Sequence, residues 1–485
     1  MKLQELLRGV DTVSSNGELD VEINGIVYDS RKTKKGNLFI CVSGYARDGH
    51  SYINDALQKG AAAFIVEKDV DVKGAAVVRV QSSRTAMPLL ASNFYGNPAQ
   101  KLRLIGITGT NGKTTTTYLI KSIMETNKQK IGLLGTISTQ IGDKIFVSSR
   151  TTPEALDLQC LFREMADNNI DYAVMEVSSH SLELGRVDGC NFKIGVFTNL
   201  TQDHLDFHKT IENYRNAKKK LFHMTNGANI INIDDEHGGI IAAEVKKLGI
   251  PLVTYGIDNK ADIMAKNIDI TSRGVGFTIV TPEYEAKLSI RIPGKFSVYN
   301  ALAAASVAYA EGISREVIRE GLNRVDNVPG RSEILKTGTL YTVIVDYAHT
   351  PDGLQNILAS VKQYAKGRVI TLFGCGGDRD REKRPMMGNI AGKMSDYCII
   401  TSDNPRSEEP MDIIRQIEAG IKSTGCDYIC IENRRDAIKY ALSIAKPDDI
   451  ILLAGKGHET YQVLKDRTIP FDERDIVEEL LREEV

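Results

Sequence analysis

The stretch Leu102-Arg-Leu-Ile-Gly-Ile-Thr-Gly-Thr-Asn-Gly-Lys-Thr-Thr-Thr-Thr117 constrains the fold more than any other. Leu102 to Ile107 is an apolar run that reads as a buried parallel strand, and a helix starts at about Lys113, carrying Tyr118, Leu119, Ile120 and Ile123. Between them lies a glycine-rich turn. Strand, glycine turn, lysine, hydroxyl residues and helix form the layout of a phosphate cradle. Glycines let backbone N–H groups close around phosphate oxygens, and the helix N-terminus adds its positive end. Lys113 can then reach the β- and γ-phosphates, and the Thr114 hydroxyl can sit on Mg²⁺. The strict G-x-x-x-x-G-K-T spacing is not met, because residue 107 is Ile and the glycines are Gly106, Gly109 and Gly112. The alternative is an ordinary strand–turn–helix corner. A lysine and threonines directly after the last glycine favour binding of ATP or GTP.

Around this stretch there is room for about three domains of common size in 485 residues. A chain 42% hydrophobic and 26% charged is expected to fold and stay in solution. Its net charge of −2 supplies no field for nucleic acid or an anionic membrane. Seven scattered cysteines suit reduced thiols, and Cys426 and Cys430 lack zinc-knuckle spacing. No signal-peptide core opens the chain and no run is long enough to cross a bilayer, so the expected place is the cytoplasm.

Short strands at Gly25–Tyr28, Asn37–Val42 and Ala62–Val66, with helices near 51–60 and 84–95, give a small N-terminal α/β domain over residues 1–98. Tyr95-Gly-Asn-Pro98 reads as its linker. Tyr28-Asp-Ser-Arg31 and Gly44-Tyr-Ala-Arg-Asp-Gly-His50 are polar loops after strands, where α/β sheets place ligands. Residues 99–330 alternate strands (102–107, 170–177, 194–198, 228–233) with helices, which predicts a central P-loop-type domain with a mostly parallel sheet. Gly274–Val280 and Ala286–Ile292 alternate with period two and suggest an added hairpin; an alanine-rich helix is expected from about Asn300. Residues 331–485 restart the alternation as a Rossmann-like, doubly wound domain. Four of its strands run into polar loops: Tyr347-Ala-His-Thr-Pro351, Gly374-Cys-Gly-Gly-Asp-Arg-Asp380, Asp403-Asn-Pro-Arg406 and Gly455-Lys-Gly-His-Glu459. Carboxyl-end loops of parallel strands share one edge, so these four are expected to line one site.

Glu176 ends a strand beside the cradle, a position that suits Mg²⁺; a solvated strand-end carboxylate is the plain alternative. His204 and His208 are four apart. A zinc pair there lacks an evident third ligand, and Asp203 could simply cap a helix. In Tyr214-Arg-Asn-Ala-Lys-Lys-Lys-Leu-Phe222, three lysines would ordinarily mark a solvated face. However, Tyr214, Lys218 and Phe222 are successive i, i+4 neighbours, so Lys218 lies on the inward stripe while Lys219 and Lys220 can face water. A lysine held inside needs a partner or a changed charge state. Arg331, after Pro329-Gly330, is placed to reach a nucleotide between domains. Arg379 and Arg406 lie on neighbouring loops, and guanidinium forks grip carboxylates with two parallel hydrogen bonds; ordinary surface salt bridges are the alternative.

Gly109-Thr-Asn-Gly-Lys-Thr-Thr115, Glu176-Val-Ser-Ser-His180, Asn199-Leu-Thr-Gln-Asp-His-Leu-Asp206, the Ala217-Lys218 helix, Pro329-Gly-Arg331, Asp346-Tyr-Ala-His349 and Asp403-Asn-Pro-Arg406 occur in that order. Jointly, from about Tyr28 to Glu459, the chain resembles the Mur ligases, and within them the members that add the third amino acid. Folylpolyglutamate synthetases share the cradle but not the third-domain motifs. The resemblance implies an ATP-dependent amide ligase of peptidoglycan precursor synthesis. ATP would phosphorylate the γ-carboxylate of D-glutamate in UDP-N-acetylmuramoyl-L-alanyl-D-glutamate. An amine would attack the acyl phosphate, and a tetrahedral intermediate would lose phosphate. Phosphoryl transfer of this kind needs positioning and positive charge more than a protein nucleophile.

By family pattern Lys113, Glu176, His204 and Lys218 are catalytic. Gly109, Thr110, Asn111, Gly112, Lys113, Thr114, Thr115, Asn300, Arg331 and Asp346 would bind ATP. Two Mg²⁺ ions would be held by Thr114, Glu176, His204 and a carbamylated Lys218, a modification that turns an ammonium into a carboxylate. Ser30, Thr151, Thr152, Ser178 and Arg186 would hold the UDP-muramoyl dipeptide. Arg379, Asp403, Asn404, Pro405, Arg406, Gly455 and Glu459 would hold the incoming amino acid. The resemblance implies meso-diaminopimelate, because Arg406 can pair with its far carboxylate and Glu459 with its ammonium; lysine lacks that carboxylate. The competing readings are a lysine-adding ligase and a nucleotide-dependent binding protein without ligase activity. Only small-molecule partners are implied, with no nucleic acid, no membrane and a monomeric chain. Two residues depart from the pattern: Leu184 replaces a substrate-touching glutamine of some relatives, and Ser297 an asparagine before the Asn300 helix.

Overall fold

The computed structural model describes residues 1–44, 47–148 and 150–483; Tyr45 and Ala46 of the Gly44–His50 loop lie outside the described residues. Among them, three main sheets follow one another along the chain. The first joins Gly25–Val27, Asn37–Ile40, Ala63–Val66 and Ala76–Val80 in parallel, with Thr12–Asn16 antiparallel at one edge.

The central sheet is built outward from Arg103–Thr108. That strand pairs in parallel with Tyr172–Glu176 on one side and Phe192–Phe197 on the other. Thr225–Asn232, Leu252–Gly256 and Ile263–Thr271 continue the parallel run, and Gly274–Val280 and Glu285–Ile290 close it with antiparallel pairs. At the opposite end Ile131–Leu134 carries the hairpin Ser138–Ile141 and Lys144–Val147. The central strand is apolar on both faces because helices cover both. Ile105 and Ile107 pack with Leu119, Ile120 and Ile123 of helix Lys113–Thr126, whereas Leu104 turns to Leu158 and Phe162 of helix Ala155–Asp167.

In the third sheet Thr342–Asp346, Ile450–Ala454, Val369–Phe373, Tyr397–Ile400 and Tyr428–Cys430 are parallel neighbours. Alternate residues feed two cores: Ile344 and Phe373 face helices Pro351–Lys362, Lys383–Met394 and Pro410–Ile421, while Val343 and Val345 face Arg434–Ile444 and Glu473–Glu483. Helices on both faces of a parallel sheet are the doubly wound arrangement read from the sequence.

One expectation needs correction. The alanine-rich helix begins at Lys295, a turn earlier than Asn300, because Pro293-Gly294 is the true break and Gly294 has φ 102°. Its first turn, Lys295-Phe-Ser-Val298, is helical despite carrying no alanine. No helix among the described residues is long and apolar enough to cross a membrane.

Helices Lys383–Met394 and Pro410–Ile421 pack through glycine. A Cβ at Gly388 would sit 2.1 Å from the Ile417 carbonyl oxygen, and one at Gly420 would sit 1.9 Å from that of Pro385. By contrast, nothing lies within 4 Å of a Cβ at Gly239 in helix Glu236–Val245. Helical Gly→Ala ordinarily gains about 1 kcal/mol; forcing two backbones apart costs about 1–3 kcal/mol. Denaturant unfolding should therefore show Gly239→Ala stabilised and Gly388→Ala destabilised, opposite signs for one chemical change.

Candidate functional site

The turn between Thr108 and Lys113 is locked from behind. Gly109 (φ 151°) and Gly112 (φ 84°) occupy backbone that a side chain would block. A Cβ at Gly109 would lie 1.8 Å from Thr198 Oγ1, and one at Gly112 would lie 2.4 Å from Asn300 Oδ1. The Thr110 and Asn111 N–H groups donate to the carbonyl and side-chain oxygens of Asn199, at 2.8 and 2.9 Å. The loop is thus hydrogen-bonded to Asn199 and packed against Asn300, from two other segments.

Two lysines fold onto it. Lys113 Nζ donates to the carbonyls of Gly109 (2.9 Å) and Thr110 (2.8 Å). Lys218 Nζ donates to the same Gly109 carbonyl at 2.7 Å and lies 4.4 Å from the Tyr214 ring centroid. Lys218 is 1% exposed, as its place on the inward stripe required; Lys219 and Lys220 instead pair with Glu244 and Glu183 near the surface. Burial and then the Lys113 charge hold the Lys218 amine well below the ordinary lysine value. Burial also lowers Lys113, opposed by Glu176.

Glu176 is buried, not a solvated strand end. Its Oε1 accepts from the Thr114 hydroxyl (3.0 Å) and the Thr136 N–H (2.8 Å). Arg331 closes the cluster from the other side of the Val328–Arg331 turn, donating through Nη2 to Thr114 Oγ1 at 3.1 Å, with its guanidinium carbon 4.7 Å from the Tyr347 ring centroid. Its Nε is buried and without a partner among the described residues, so the fork is one donor short of satisfaction. Asp346 accepts from the N–H groups of Ser332 and Ala348.

Two cavities open from this cluster. One of about 500 Å³ is lined by Asn111, Gly112, Thr115, Asn300, Arg331 and Asp346. A smaller one of about 210 Å³ is lined by Thr110, Lys113, Thr114, Glu176, His204 and Arg331. Every candidate nucleotide residue lines one or the other except Gly109, whose carbonyl the lysines engage.

His204 and His208 do not form a zinc pair. His204 is the left-handed N-cap of helix Leu205–His208 (φ 54°) and His208 sits at 2.9 Å from Ser179 Oγ. No group of three or more His, Cys, Asp or Glu among the described residues could hold a metal. Asp203 is not the cap but the residue before it, accepting the His204 N–H at 2.8 Å.

Next to the cradle, Thr152 Oγ1 donates to the Glu176 carbonyl (2.9 Å) and accepts the Ser178 N–H (3.1 Å). Arg186 donates to the Thr152 carbonyl and pairs with Glu154, and Thr151 meets Thr136 at 3.0 Å. The structure so gathers Thr151, Thr152, Ser178 and Arg186. Ser30 is in the first domain and makes no hydrogen bond to them; its carbonyl accepts from Lys59. Leu184, partly buried, ends the short helix Ser179–Glu183. Ser297 donates back to the Pro293 carbonyl (3.0 Å), so its hydroxyl is already used.

The four third-domain loops do meet at one edge. Gly377 N–H donates to the Asn404 carbonyl and Arg406 Nη1 to that of Gly377, both at 2.9 Å. Asn404 Nδ2 donates to Glu459 Oε2 at 2.8 Å, and the Tyr347 and His458 rings are 4.8 Å apart. Arg406 is left-handed (φ 52°), a conformation a non-glycine adopts only under local constraint. Arg379 stands at the rim, donating to the Asp378 carbonyl, and Pro405 backs onto Gly377. Asp403 is buried against Gly455, whose Cβ would lie 2.9 Å from Asp403 Oδ2.

Tyr347 and His349, read from the sequence only as part of a polar loop at the third-domain site, line the larger cavity together with Asp352, which sequence reasoning missed. Asp352 accepts from Asn111 Nδ2 (2.7 Å) and Thr201 Oγ1 (3.0 Å), tying two domains together. Thr350-Pro351-Asp352 does signal a helix start, with Thr350 as its cap. Nothing in that signal announces a partner more than two hundred residues away.

The chain belongs to the Mur ligase family. Residues 22–95 match the Mur ligase family catalytic domain, 107–308 the Mur ligase middle domain and 330–457 the Mur ligase glutamate ligase domain. It is 51% identical over 481 residues to the UDP-N-acetylmuramoyl-L-alanyl-D-glutamate--2,6-diaminopimelate ligase of Clostridioides difficile (strain 630), covering 99% of both chains. The protein of the same name from Caldanaerobacter subterraneus subsp. tengcongensis is 52% identical over 484 residues, covering 100% of this chain and 99% of its own. A solved structure so named superposes with TM-score 0.70 at 31% identity, over 100% of this chain and 99% of that one. The MurF ligase of Thermotoga maritima, solved with ADP, shares the fold (TM-score 0.63, 18% identity, 96% of each chain).

Gly112→Ala would push a methyl group into Asn300 and force a left-handed alanine. Strain of about 1–3 kcal/mol is expected to displace the cradle. Calorimetry with a non-hydrolysable ATP analogue should show about tenfold weaker binding or worse.

Proposed function

We propose that this chain is an ATP-dependent amide ligase that joins meso-diaminopimelate to the D-glutamate γ-carboxylate of UDP-N-acetylmuramoyl-L-alanyl-D-glutamate. The observation that carries the reading is the convergence of Lys113, Lys218, Glu176, Thr114 and Arg331 on one glycine turn. Relatives at about half identity over the whole chain bear the name of that ligase, which supports the substrate assignment.

In this reading the nucleotide occupies the larger cavity, with Asn300, Arg331 and Asp346 around it and its phosphates against the Gly109–Thr115 turn. Lys113 leaves the loop carbonyls to meet phosphate oxygens, and the unsatisfied Arg331 Nε gains an acceptor. Thr151, Thr152, Ser178, Arg186 and Ser30 hold the UDP-muramoyl dipeptide, so that its γ-carboxylate oxygen attacks the terminal phosphorus and ADP leaves. The incoming amine then attacks the acyl carbon, loses a proton, and expels inorganic phosphate. Binding and charge carry these steps, since no protein nucleophile is required.

The donors present fit Mg²⁺. Thr114 and Glu176 offer hard oxygens in mutual contact, and this ion is commonly held by one or two carboxylates plus substrate phosphates. His204 lines the same cavity. When bound, the ion would neutralise phosphate charge and polarise the reacting oxygens. Lys218 has the depressed basicity a carbamate-forming amine needs: its free amine adds to CO₂ and releases a proton, turning a buried cation into an oxygen donor. Arg406 keeps Nη2 and Nε free of hydrogen bonds among the described residues, a fork open to the distal carboxylate. The proposal places the chain in the cytoplasm as a monomer acting on small molecules.

With ATP and the UDP-muramoyl dipeptide, phosphate release should require diaminopimelate. Lysine should support a kcat/KM lower by about a hundredfold or more, because it leaves the Arg406 fork unpaired. Equal rates would favour a lysine-adding enzyme; ATP binding with no phosphate release under any combination would favour a binding protein. Lys218→Ala should nearly abolish turnover and recover part of it with added formate or acetate, read by the same assay; full activity of the alanine variant would remove the carbamate from the scheme.

A further inference from the structure

Behind the four third-domain loops lies a charged cluster that the reading above does not use. Lys456 lies two residues past the end of strand Ile450–Ala454 and is 0% exposed. Gly455 (φ 112°) and Gly457 (φ 55°) flank it, so the chain turns sharply on both sides and drives the side chain inward. A Cβ at Gly457 would lie 2.7 Å from Tyr347 Cβ. The ammonium ends between the rings of Tyr461 and Phe471, at 5.9 and 5.8 Å from their centroids.

Its polar partners are two of the residues assigned to the incoming amino acid. Lys456 Nζ lies 3.0 Å from Glu459 Oε2 and 3.3 Å from Asn404 Oδ1. The Val463 N–H also donates to Asn404 Oδ1, at 2.9 Å. Two donors on that oxygen fix which way the amide faces, so Asn404 Nδ2 points to Glu459 Oε2. Glu459 therefore has Oε2 saturated and Oε1 without a hydrogen bond among the described residues. Burial pushes the Asp403 carboxyl up, but Lys456, Arg434 and the Asn404 backbone N–H together hold it below the ordinary carboxylate value. Arg434 is itself buried in an ion pair with Glu473 at 2.8 Å and donates to the Ala454 carbonyl at 2.9 Å.

We propose that Lys456 is a positioning residue for the amino-acid substrate: it sets the orientation of the Asn404 amide and pins one oxygen of Glu459, leaving the other to receive the substrate ammonium. The assignment rests on the ligase reading. It places the specificity for an amino group in a buried lysine that never touches the substrate, and it predicts an effect confined to one of the three substrates.

The test is steady-state phosphate release by the full chain, varying ATP, UDP-muramoyl dipeptide and meso-diaminopimelate in turn, for wild type and for Lys456→Met, Lys456→Gln and Lys456→Arg. The KM for diaminopimelate should rise about tenfold or more in the methionine and glutamine variants, with the other two KM values within about twofold of wild type. Arginine, which keeps the cation, should recover most of the loss. Glutamine, neutral and one bond too short to reach both partners, carries the test if the methionine variant does not fold. A folded neutral variant with wild-type KM for diaminopimelate, or equal rises in all three KM values, overturns the assignment alone. A wild type that releases no phosphate with diaminopimelate overturns the ligase reading and this assignment with it.

Discussion

Two ammonium groups share one carbonyl oxygen. Lys113 and Lys218 approach the Gly109 carbonyl at 2.9 and 2.7 Å, from different helices. Like charges so placed repel, and neither is well hydrated, so the arrangement is tolerable only if a charge is shed or an anion arrives. Both outcomes suit a phosphate site. Lys218, the more buried, sheds its proton most readily, and Lys113 has short carbonyl bonds that a stronger acceptor can replace. The glycines matter for the same reason. With a side chain at 109 or 112 the turn could not approach Thr198 and Asn300, and the carbonyl would not face inward to collect the two cations.

The third domain solves a different electrostatic problem with the same economy. An amino acid carries both charges, so the site proposed for it must present both without letting them cancel. Arg406 is kept at the rim by bonds from one Nη to backbone carbonyls, which spend part of its donor capacity and none of its charge. Glu459 is kept from collapsing onto it by Asn404 and Lys456 on its other side. Beneath them Arg384, fully buried, forks Glu408 at 2.9 Å and also reaches the Gly376 carbonyl, bracing the loop that holds Arg379. Glu459 and Glu408 are thus each backed by a buried cation, Lys456 and Arg384, which limits how far they can relax towards the arginines at the rim.

Much of this was legible in the sequence because it follows from local rules. Glycines before a lysine at a strand's end admit few folds, and Lys218 betrayed its burial by sharing a helical stripe with Tyr214 and Phe222. The four polar loops were correctly grouped because parallel strands put their carboxyl ends on one side. What escaped was whatever depends on distant partners. Lys456 sits in Gly455-Lys-Gly-His-Glu459, which reads as a solvated polar turn; only Tyr461, Phe471 and Asn404 arriving from elsewhere make it a core residue. Asp352 reads as an ordinary first-turn carboxylate at a helix start, a role that it also fills. The helix starts at Lys295 and not among the alanines, because the Pro293-Gly294 break sets its start more firmly than composition does.

The seams between domains explain why the distant partners fall where they do. Arg331 and Asp352 come from the third sheet's side, yet their hydrogen bonds end on Thr114 and Asn111 of the glycine turn. Tyr28 of the first sheet donates to Asp157, on the helix that follows Thr151 and Thr152. The seam to the third domain is a few polar contacts placed beside candidate site residues, whereas the seam to the first also buries Ala155 and Leu156 in the first sheet's core. Polar seams are weak enough to re-form in more than one arrangement, whereas buried apolar ones are not. A reaction that must admit three substrates and then exclude water needs that freedom between its parts and rigidity within them. The glycine turn meets both demands, being fixed from behind by Asn199 and Asn300 while the third domain reaches it only through side chains.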